Sequence, residues 1–190
     1  MKIIGYTCVY NEEDMVPYVM PYVSRFGYDK FVVYDTGCTD KTIELLSKYP
    51  FVEIRQFNGH FNDEQKLMLQ KESYKECIEL AKEDHYRGLS ILGGESLHPK
   101  NIDGATLLAK RFRESYKDKK DIWLWTGFSF EEVKDKEIMK YIDYLVDGRY
   151  KDELHDFRLL YRGSSNQRII DVKKSLKSNK TVEVNEKEIK

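Results

Sequence analysis

Short runs of β-forming residues alternate with segments of helical periodicity along most of this sequence, and this alternation constrains the fold more than any other feature. The predicted strands are Ile3–Val9, Lys30–Tyr34, Val52–Gln56, Leu89–Leu92, Ile122–Trp125 and Tyr144–Val146. Parallel pairing is expected, because a helix between two strands returns the chain to the end of the sheet where it started. The sequence therefore predicts an α/β fold with one mostly parallel sheet of about six strands, flanked by helices.

The length of the chain favours a single domain. Its 190 residues can bury one core of this kind, and we expect residues 1–171 to form one compact domain. From Val172 the sequence is rich in lysine and has few large apolar residues, so we interpret residues 172–190 as a frayed polar tail. Ligands are expected at the carboxyl ends of the strands, where parallel sheets of this kind bind them.

Charge and cysteine content bear on the partners and the compartment. The 32 basic and 33 acidic residues nearly cancel, which predicts no binding to nucleic acid and no attraction to an anionic membrane. No apolar run has the length of a membrane span, and the amino terminus becomes acidic too early for a secretory signal. Three widely spaced cysteines argue against a disulfide framework. Together these features predict a cytoplasmic protein.

Polar residues follow the first two predicted strands. Asn11, Glu12 and Glu13 come shortly after one strand, and Asp35 ends the next. Neighbouring parallel strands bring such residues to one edge of the sheet, where they can hold a ligand. The same side chains can instead cap the helices that follow. Both interpretations stay open from the sequence.

Residues 1–84 resemble the first half of the family 2 glycosyltransferases, which have the GT-A fold. The resemblance is carried by the segments YTCVYNEED and KFVVYDTGCTDKT. It implies that Asn11, Glu12 and Asp35 form a nucleotide-binding site. That family holds a divalent metal with an Asp-x-Asp motif, which this sequence lacks, so we expect no metal site and no working transferase.

A predicted buried strand later in the chain runs into a double-glycine turn that ends in an acid, in the segment LSILGGESLHPKN. Gly93 and Gly94 would let the backbone approach a ligand closely, and the Glu95 carboxylate would accept a hydrogen bond from an ammonium group. Three further segments follow in order, namely DIWLWTGFSFEEV, IDYLVDGRY and LLYRGSSNQRIIDVKKSL.

Through these four segments, residues 85–178 resemble the carboxyl-terminal half of the activating proteins of anaerobic ribonucleotide reductase, a radical S-adenosylmethionine family. The resemblance implies an S-adenosylmethionine site that contains Gly93, Gly94, Glu95, Thr126 and Asp147. It also implies that this half contacts anaerobic ribonucleotide reductase. The polar loop Arg162–Gln167 would either shape the site or contact the reductase, and we expect Trp123 and Trp125 to belong to the core.

The cluster-binding motif of that family is missing from this sequence. Its cysteines are spaced Cys-x3-Cys-x2-Cys, whereas Cys38 stands alone in the segment TGCTDKT. We therefore expect no iron–sulfur cluster, no radical activity and only weak binding of S-adenosylmethionine.

Three functional interpretations follow from the sequence. The first is an activating-protein-like chain that keeps the ligand turn but has no radical activity, with residues 85–171 as its activating-protein-like half. The second is a glycosyltransferase-like nucleotide-sugar binder that uses residues 1–84. The third is a non-catalytic hybrid, in which βαβ units of two parent folds join near residues 84–86.

Overall fold

A computed structural model describes residues 4–25, 27–56, 63–92, 95–185 and 189, and for Tyr22 and residues 63–70 it describes the backbone alone. The chain divides into two compact units, Met1–Tyr86 and Arg87–Lys190. Gly93 and Gly94, which the sequence assigns to a ligand turn, lie outside the described residues. Among the helices described, none is both long enough and apolar enough to cross a membrane.

The first unit is a three-stranded parallel sheet with helices between its strands. In chain order its elements are β1 (Ile4–Val9), α1 (Val16–Arg25), β2 (Lys30–Asp35), α2 (Thr42–Leu46), β3 (Val52–Gln56) and α3 (Asp63–Leu80). The strands pair in the order β1-β2-β3, and Val9 lies opposite Asp35 in the register. The ends of β1 and β2 therefore meet at one edge of this sheet.

Residues of β2 alternate between the two faces of the first sheet. Val33 is fully buried in a cluster with Val16 and Met20 of α1 and Leu46 of α2. Val32 and Tyr34 belong to a separate cluster on the opposite face. This alternation is the period-two pattern expected of a strand covered on both sides.

An ion pair fastens α3 to the first sheet. The Arg55 guanidinium on β3 donates two hydrogen bonds to the Glu76 carboxylate, at 2.6 and 2.9 Å, and a third to the Tyr34 hydroxyl at 3.1 Å. A bidentate pair of this kind fixes orientation as well as distance. This charged contact therefore helps to set the position of α3 on the first sheet.

The second unit is a four-stranded mixed sheet. Its main elements are β4 (Gly88–Ile91), α4 (Ile102–Tyr116), β5 (Asp121–Trp125), α5 (Phe130–Val133), β6 (Tyr144–Asp147), β7 (Arg168–Asp171) and α6 (Val172–Ser178). Short 3-10 helices occupy Lys117–Lys119, Glu137–Lys140 and Asp152–Leu154. The strand order is β4-β5-β6-β7; the first three strands are parallel and β7 runs antiparallel to β6.

Residues of β5 alternate between two apolar faces in the second sheet. Ile122 and Leu124 have no exposed surface. Trp123, on the other face, packs in a cluster with Val146 and Ile169 and stacks on Trp125 with ring centroids 5.6 Å apart. The prediction that the tryptophans belong to the core is confirmed for Trp123, which is 6% exposed.

The α/β prediction is confirmed, and all six predicted strands form within two residues of their predicted ends. The prediction of a single six-stranded sheet is wrong, because the described strands form two sheets of three and four strands. Three strands packed against helices are enough to bury a core of their own. The strand β7 was not predicted from the sequence. The expectation that residues 1–171 form one compact domain stays a prediction.

The interpretation of the segment after Val172 as a frayed tail is wrong as far as Asn185. The Asp171 carboxylate caps α6 by accepting a hydrogen bond from the Lys174 N–H at 2.9 Å, and Val172 is fully buried. Beyond this helix, the backbone N–H of Val184 donates to the Ile169 carbonyl at 2.8 Å. A cap and strand-like pairing thus order a segment whose composition is largely polar.

Candidate functional site

Polar side chains gather at the carboxyl edge of the second sheet, as the sequence predicts. Glu95 follows β4, Thr126 and Gly127 follow β5, and Asp147 ends β6. Because β4, β5 and β6 are parallel neighbours, these residues lie at the same edge. This edge is the candidate functional site.

The Glu95 carboxylate is held by donors from two directions. Its Oε1 atom accepts hydrogen bonds from the Thr126 hydroxyl at 2.7 Å and from the Leu97 N–H at 3.0 Å. Its Oε2 atom accepts one from the Gly127 N–H at 2.8 Å. A carboxylate offers about four acceptor positions, so one more donor can be accommodated. All three donors are uncharged, so none of them is a cationic partner for the Glu95 carboxylate.

The backbone at Glu95 is fixed as well. Its carbonyl accepts hydrogen bonds from the His98 N–H and from the Asn101 side-chain amide, each at 3.0 Å. Asn101 stands directly before α4, so the turn after the acid is tied to the start of a 15-residue helix. The Glu95 backbone is thus hydrogen-bonded to the turn that leads into α4.

Asp147 lies at the same edge, but its carboxylate is already engaged. Its side chain is 1% exposed, its Oδ2 atom accepts a hydrogen bond from the Phe130 N–H at 2.7 Å, and its Oδ1 atom accepts one from Arg168 Nε at 3.0 Å. The Arg168 Nη2 group contacts both Asp147 and Glu131. Asp147 therefore holds the neighbouring segments at residues 130 and 168 in place. Its carboxylate has few acceptor positions left for a ligand. Arg168 was not singled out from the sequence, although an arginine before the apolar pair Ile169–Ile170 fits a strand start.

The loop Arg162–Gln167 packs on the turn that follows β6. The Gln167 side chain accepts hydrogen bonds from the backbone N–H groups of Gly163 and Ser164, at 3.0 and 3.2 Å, and donates one to the Gly148 carbonyl at 3.0 Å. Gly148 has φ +96°, which favours glycine at that position. These contacts favour the role of shaping the site edge over that of a free contact loop.

The polar residues of the first unit lie together, and their hydrogen bonds join the loop after β1 to the loop after β2. The Asn11 side chain accepts a hydrogen bond from the Thr39 N–H at 2.8 Å, and the Glu12 N–H donates to the Thr42 hydroxyl at 2.6 Å. The Asp35 carboxylate accepts from the Cys38 N–H at 2.7 Å and from the Gly37 N–H at 3.0 Å. Burial acts to raise the pKa of Asp35, but hydrogen bonds from the Cys38 and Gly37 N–H groups and from the Cys38 and Gln56 side chains outweigh it and lower the pKa. Most of the hydrogen-bonding groups of these side chains are thus used to hold the two loops together.

The three cysteines lie on separate elements: Cys8 on β1, Cys38 in the loop after β2 and Cys77 on α3. Burial and the nearby Glu76 charge raise the pKa of the Cys77 thiol to about 12, which disfavours the thiolate that iron binds. Burial likewise raises the pKa of Cys38. Within the part of the chain that is described, no group of three or more His, Cys, Asp or Glu side chains is arranged to hold a metal ion. The described thiols do not fit the three converging ligands of a cluster.

Comparison with known proteins relates the chain to iron–sulfur proteins. The sequence pattern of the 4Fe-4S single cluster domain family matches residues 32–170. The anaerobic ribonucleoside-triphosphate reductase-activating protein of phage T4 is 30% identical over 140 residues, which cover 74% of this chain and 82% of that protein. The activating proteins of Vibrio cholerae and Pasteurella multocida are 45% and 39% identical over 83 and 85 residues. The chain spans about half the length of these two bacterial relatives, 53% of each. No solved structure matches.

These findings correct two expectations. The expectation that no iron–sulfur cluster is involved is wrong, because the matched domain family is a 4Fe-4S family and the relatives are activating proteins. The glycosyltransferase resemblance of residues 1–84 finds no support, since the matched family pattern begins at residue 32 and runs across the supposed junction near residues 84–86. The same continuity leaves the hybrid interpretation unsupported.

Proposed function

Because this chain belongs to the 4Fe-4S single cluster domain family and to the family of anaerobic ribonucleoside-triphosphate reductase-activating proteins, we propose that it is an S-adenosylmethionine-binding protein that acts on such a reductase. The observation that carries the proposal is the Glu95 carboxylate, which uncharged donors hold at the carboxyl edge of a parallel sheet. The ligand's ammonium group is the cation that this carboxylate would bind. The family implies a [4Fe–4S] cluster, but the described thiols do not fit one, so the proposal concerns ligand binding and the partner.

The proposed ligand contacts all come from the turn that follows β4, and the ends of β5 and β6 support that turn. Glu95 would bind the ammonium group, and Gly93 and Gly94, which lie outside the described residues, would let the backbone approach the ligand. Thr126 orients the carboxylate through its hydroxyl. Asp147 supports the same edge through the Phe130 N–H rather than by touching the ligand.

The reductase would be contacted by the second unit. The connection between β6 and β7 exposes large apolar side chains next to the candidate site: Tyr150, Leu154, Phe157, Leu160 and Tyr161. Phe157 is 78% exposed, which is unusual for a residue of its size. Exposed aromatic side chains are a common anchor of protein interfaces.

Replacement of Glu95 by glutamine tests the ligand assignment. The variant keeps the size of the side chain but removes its charge, so it should bind S-adenosylmethionine at least about tenfold more weakly, as expected for the loss of one charge-assisted hydrogen bond. Glu114→Gln, which changes an exposed acid on α4, is the matched control and should bind like the wild type. Isothermal titration calorimetry on the full chain measures both.

A second ligand separates loss of the ammonium contact from general damage to the site. 5′-Deoxy-5′-methylthioadenosine has the same nucleoside but no ammonium group, so its affinity should be the same for the wild type and for Glu95→Gln. Equal S-adenosylmethionine affinities for the wild type and Glu95→Gln would refute the assignment of Glu95.

A further inference from the structure

We infer that Arg168 is a positioning residue for the candidate site: through Asp147 it fixes the loop of residues 126–130, and that loop holds the Glu95 carboxylate. The inference deepens the proposed function and rests on it for the identity of the ligand. The contacts themselves are read from the fold alone.

The chain of contacts from Arg168 to Glu95 begins between β7 and β6. Arg168 and Asp147 lie directly opposite each other in the antiparallel pair, and Arg168 Nε donates to Asp147 Oδ1 at 3.0 Å. The Asp147 side chain is 1% exposed and that of Arg168 is 30% exposed. A carboxylate buried to this degree needs a cationic partner, because an unpaired charge away from water is strongly disfavoured.

Next, hydrogen bonds connect the end of β6 to the loop that leads into α5. The other side of the Asp147 carboxylate accepts a hydrogen bond from the Phe130 N–H at 2.7 Å. One residue further on, the Gly148 N–H donates to the Phe128 carbonyl at 3.0 Å. Residues 128 and 130 are thus both held from the end of β6.

Finally, the same loop donates hydrogen bonds to the Glu95 carboxylate. The Thr126 hydroxyl donates to Glu95 Oε1 at 2.7 Å and itself accepts a hydrogen bond from the Phe128 N–H at 3.2 Å. The Gly127 N–H donates to Glu95 Oε2 at 2.8 Å. Two of the three donors on the Glu95 carboxylate therefore come from a loop whose far end is anchored on the Arg168–Asp147 pair. Loss of Arg168 would weaken this attachment, and the Glu95 carboxylate would then be less firmly oriented.

Arg113 on α4, in the same unit, provides a matched control. Arg113 pairs with Asp143, which lies just before β6 at the opposite edge of the sheet, and it also binds the Tyr141 carbonyl. Its side chain is 15% exposed, so it is at least as buried as Arg168. Its replacement should cost stability without touching the loop of residues 126–130.

Amide hydrogen exchange and calorimetry on the full chain test the inference. In Arg168→Gln without ligand, exchange at the Gly127 and Phe130 amides should be about tenfold faster relative to the Trp123 and Leu124 amides of β5 than in the wild type, because the loop opens locally. Arg113→Gln should leave that ratio unchanged. The Kd for S-adenosylmethionine should rise about tenfold in Arg168→Gln but not in Arg113→Gln.

The two readouts distinguish failure of the inference from failure of the proposed function. Unchanged exchange ratios in Arg168→Gln, or faster exchange spread evenly over the second unit, would overturn the positioning role whatever the ligand. A wild-type chain that does not bind S-adenosylmethionine would overturn the proposed function, while the exchange ratios still decide the role of Arg168. If Arg168→Gln does not fold, Arg168→Lys, which keeps the charge but loses the two-pronged geometry, is compared with Arg113→Lys by the same ratios.

Discussion

Glu95 and Asp147 are two carboxylates at one sheet edge that the fold uses in different ways. Asp147 is buried and paired with the Arg168 guanidinium, so its charge is compensated inside the protein. Glu95 is half-buried and is held by a hydroxyl and two backbone N–H groups, so its charge is oriented but not compensated. A cationic ligand is therefore expected at Glu95 and not at Asp147. Residue type alone could not make this distinction, because both acids end or follow parallel strands.

Glu131 gives a prediction at the residue scale that concerns pH. Its pKa is lowered to about 2, mainly by the hydrogen bond from Arg168 and also by that from the Thr181 hydroxyl. A carboxyl whose folded pKa is below its unfolded value, about 4.3, stabilises the fold above that value, and this contribution is lost as the pH falls toward 2. The Glu131 side chain is 52% exposed, so solvent screens the interaction and the contribution should be no more than about 1 kcal/mol.

Urea unfolding of Glu131→Gln tests the direction in which the stabilising contribution of Glu131 changes with pH. The variant should be less stable than the wild type at pH 7, and the difference should shrink between pH 4.5 and pH 2. Glu132→Gln is the neighbouring comparison: it removes a carboxylate whose pKa is lowered by Ser129, without an arginine partner. A deficit in Glu131→Gln that grows as the pH falls would contradict the assignment.

At the scale of the elements, local patterns predicted the strands whose alternation or apolar character is strong, and failed where pairing is non-local. β5 and β6 are recognisable from their consecutive apolar residues alone. β7 has four residues and depends on antiparallel pairing with β6, which comes 21 residues earlier in the chain, so its sequence does not identify it. α6 was missed because the lysines of Val172–Ser178 suggested a tail, while Asp171, whose carboxylate caps the helix, was not considered.

The cap of α6 can be removed to test the corrected assignment of this segment. Asp171→Ala should lower the free energy of unfolding by about 1 kcal/mol, because the Lys174 N–H loses its acceptor. Asp171→Asn keeps an oxygen acceptor and should recover most of that loss. Limited proteolysis provides a second measurement: the Lys173 and Lys174 bonds should resist trypsin in the wild type and become more sensitive in Asp171→Ala. Rapid cleavage of the wild type at these lysines would restore the frayed-tail interpretation.

At the scale of the whole molecule, the sequence misled where it relied on features that many α/β proteins share. Asn11 and Asp35 suggested a nucleotide site, yet their side chains bind the backbone of the loop after β2. Residues at strand ends serve loop closure and ligand binding with the same chemistry, so the pattern alone cannot separate the two. The number of sheets could not be read either, since pairing between distant strands depends on register that no local segment encodes.

The near-zero net charge shapes the prediction for the reductase partner. With a balance of −1, long-range attraction contributes little, so association should rest on the exposed apolar residues of the second unit and change little with salt. Phe157→Ala should weaken binding to the anaerobic ribonucleoside-triphosphate reductase of phage T4 about tenfold or more, since a buried aromatic anchor contributes on the order of 2 kcal/mol. Its own stability should be little affected, because the ring is 78% exposed.

Tyr18→Ala is the matched control for that experiment. Tyr18 is 73% exposed on α1 in the first unit, so the substitution removes an equally exposed aromatic ring from the half that is not proposed to contact the reductase. Biolayer interferometry at about 50 and 300 mM salt should give wild-type affinity for Tyr18→Ala at both concentrations, with the loss confined to Phe157→Ala. Loss of binding in Tyr18→Ala with none in Phe157→Ala would move the contact to the first unit. A steep loss of affinity with salt in the wild type would replace the apolar contact with a charged one.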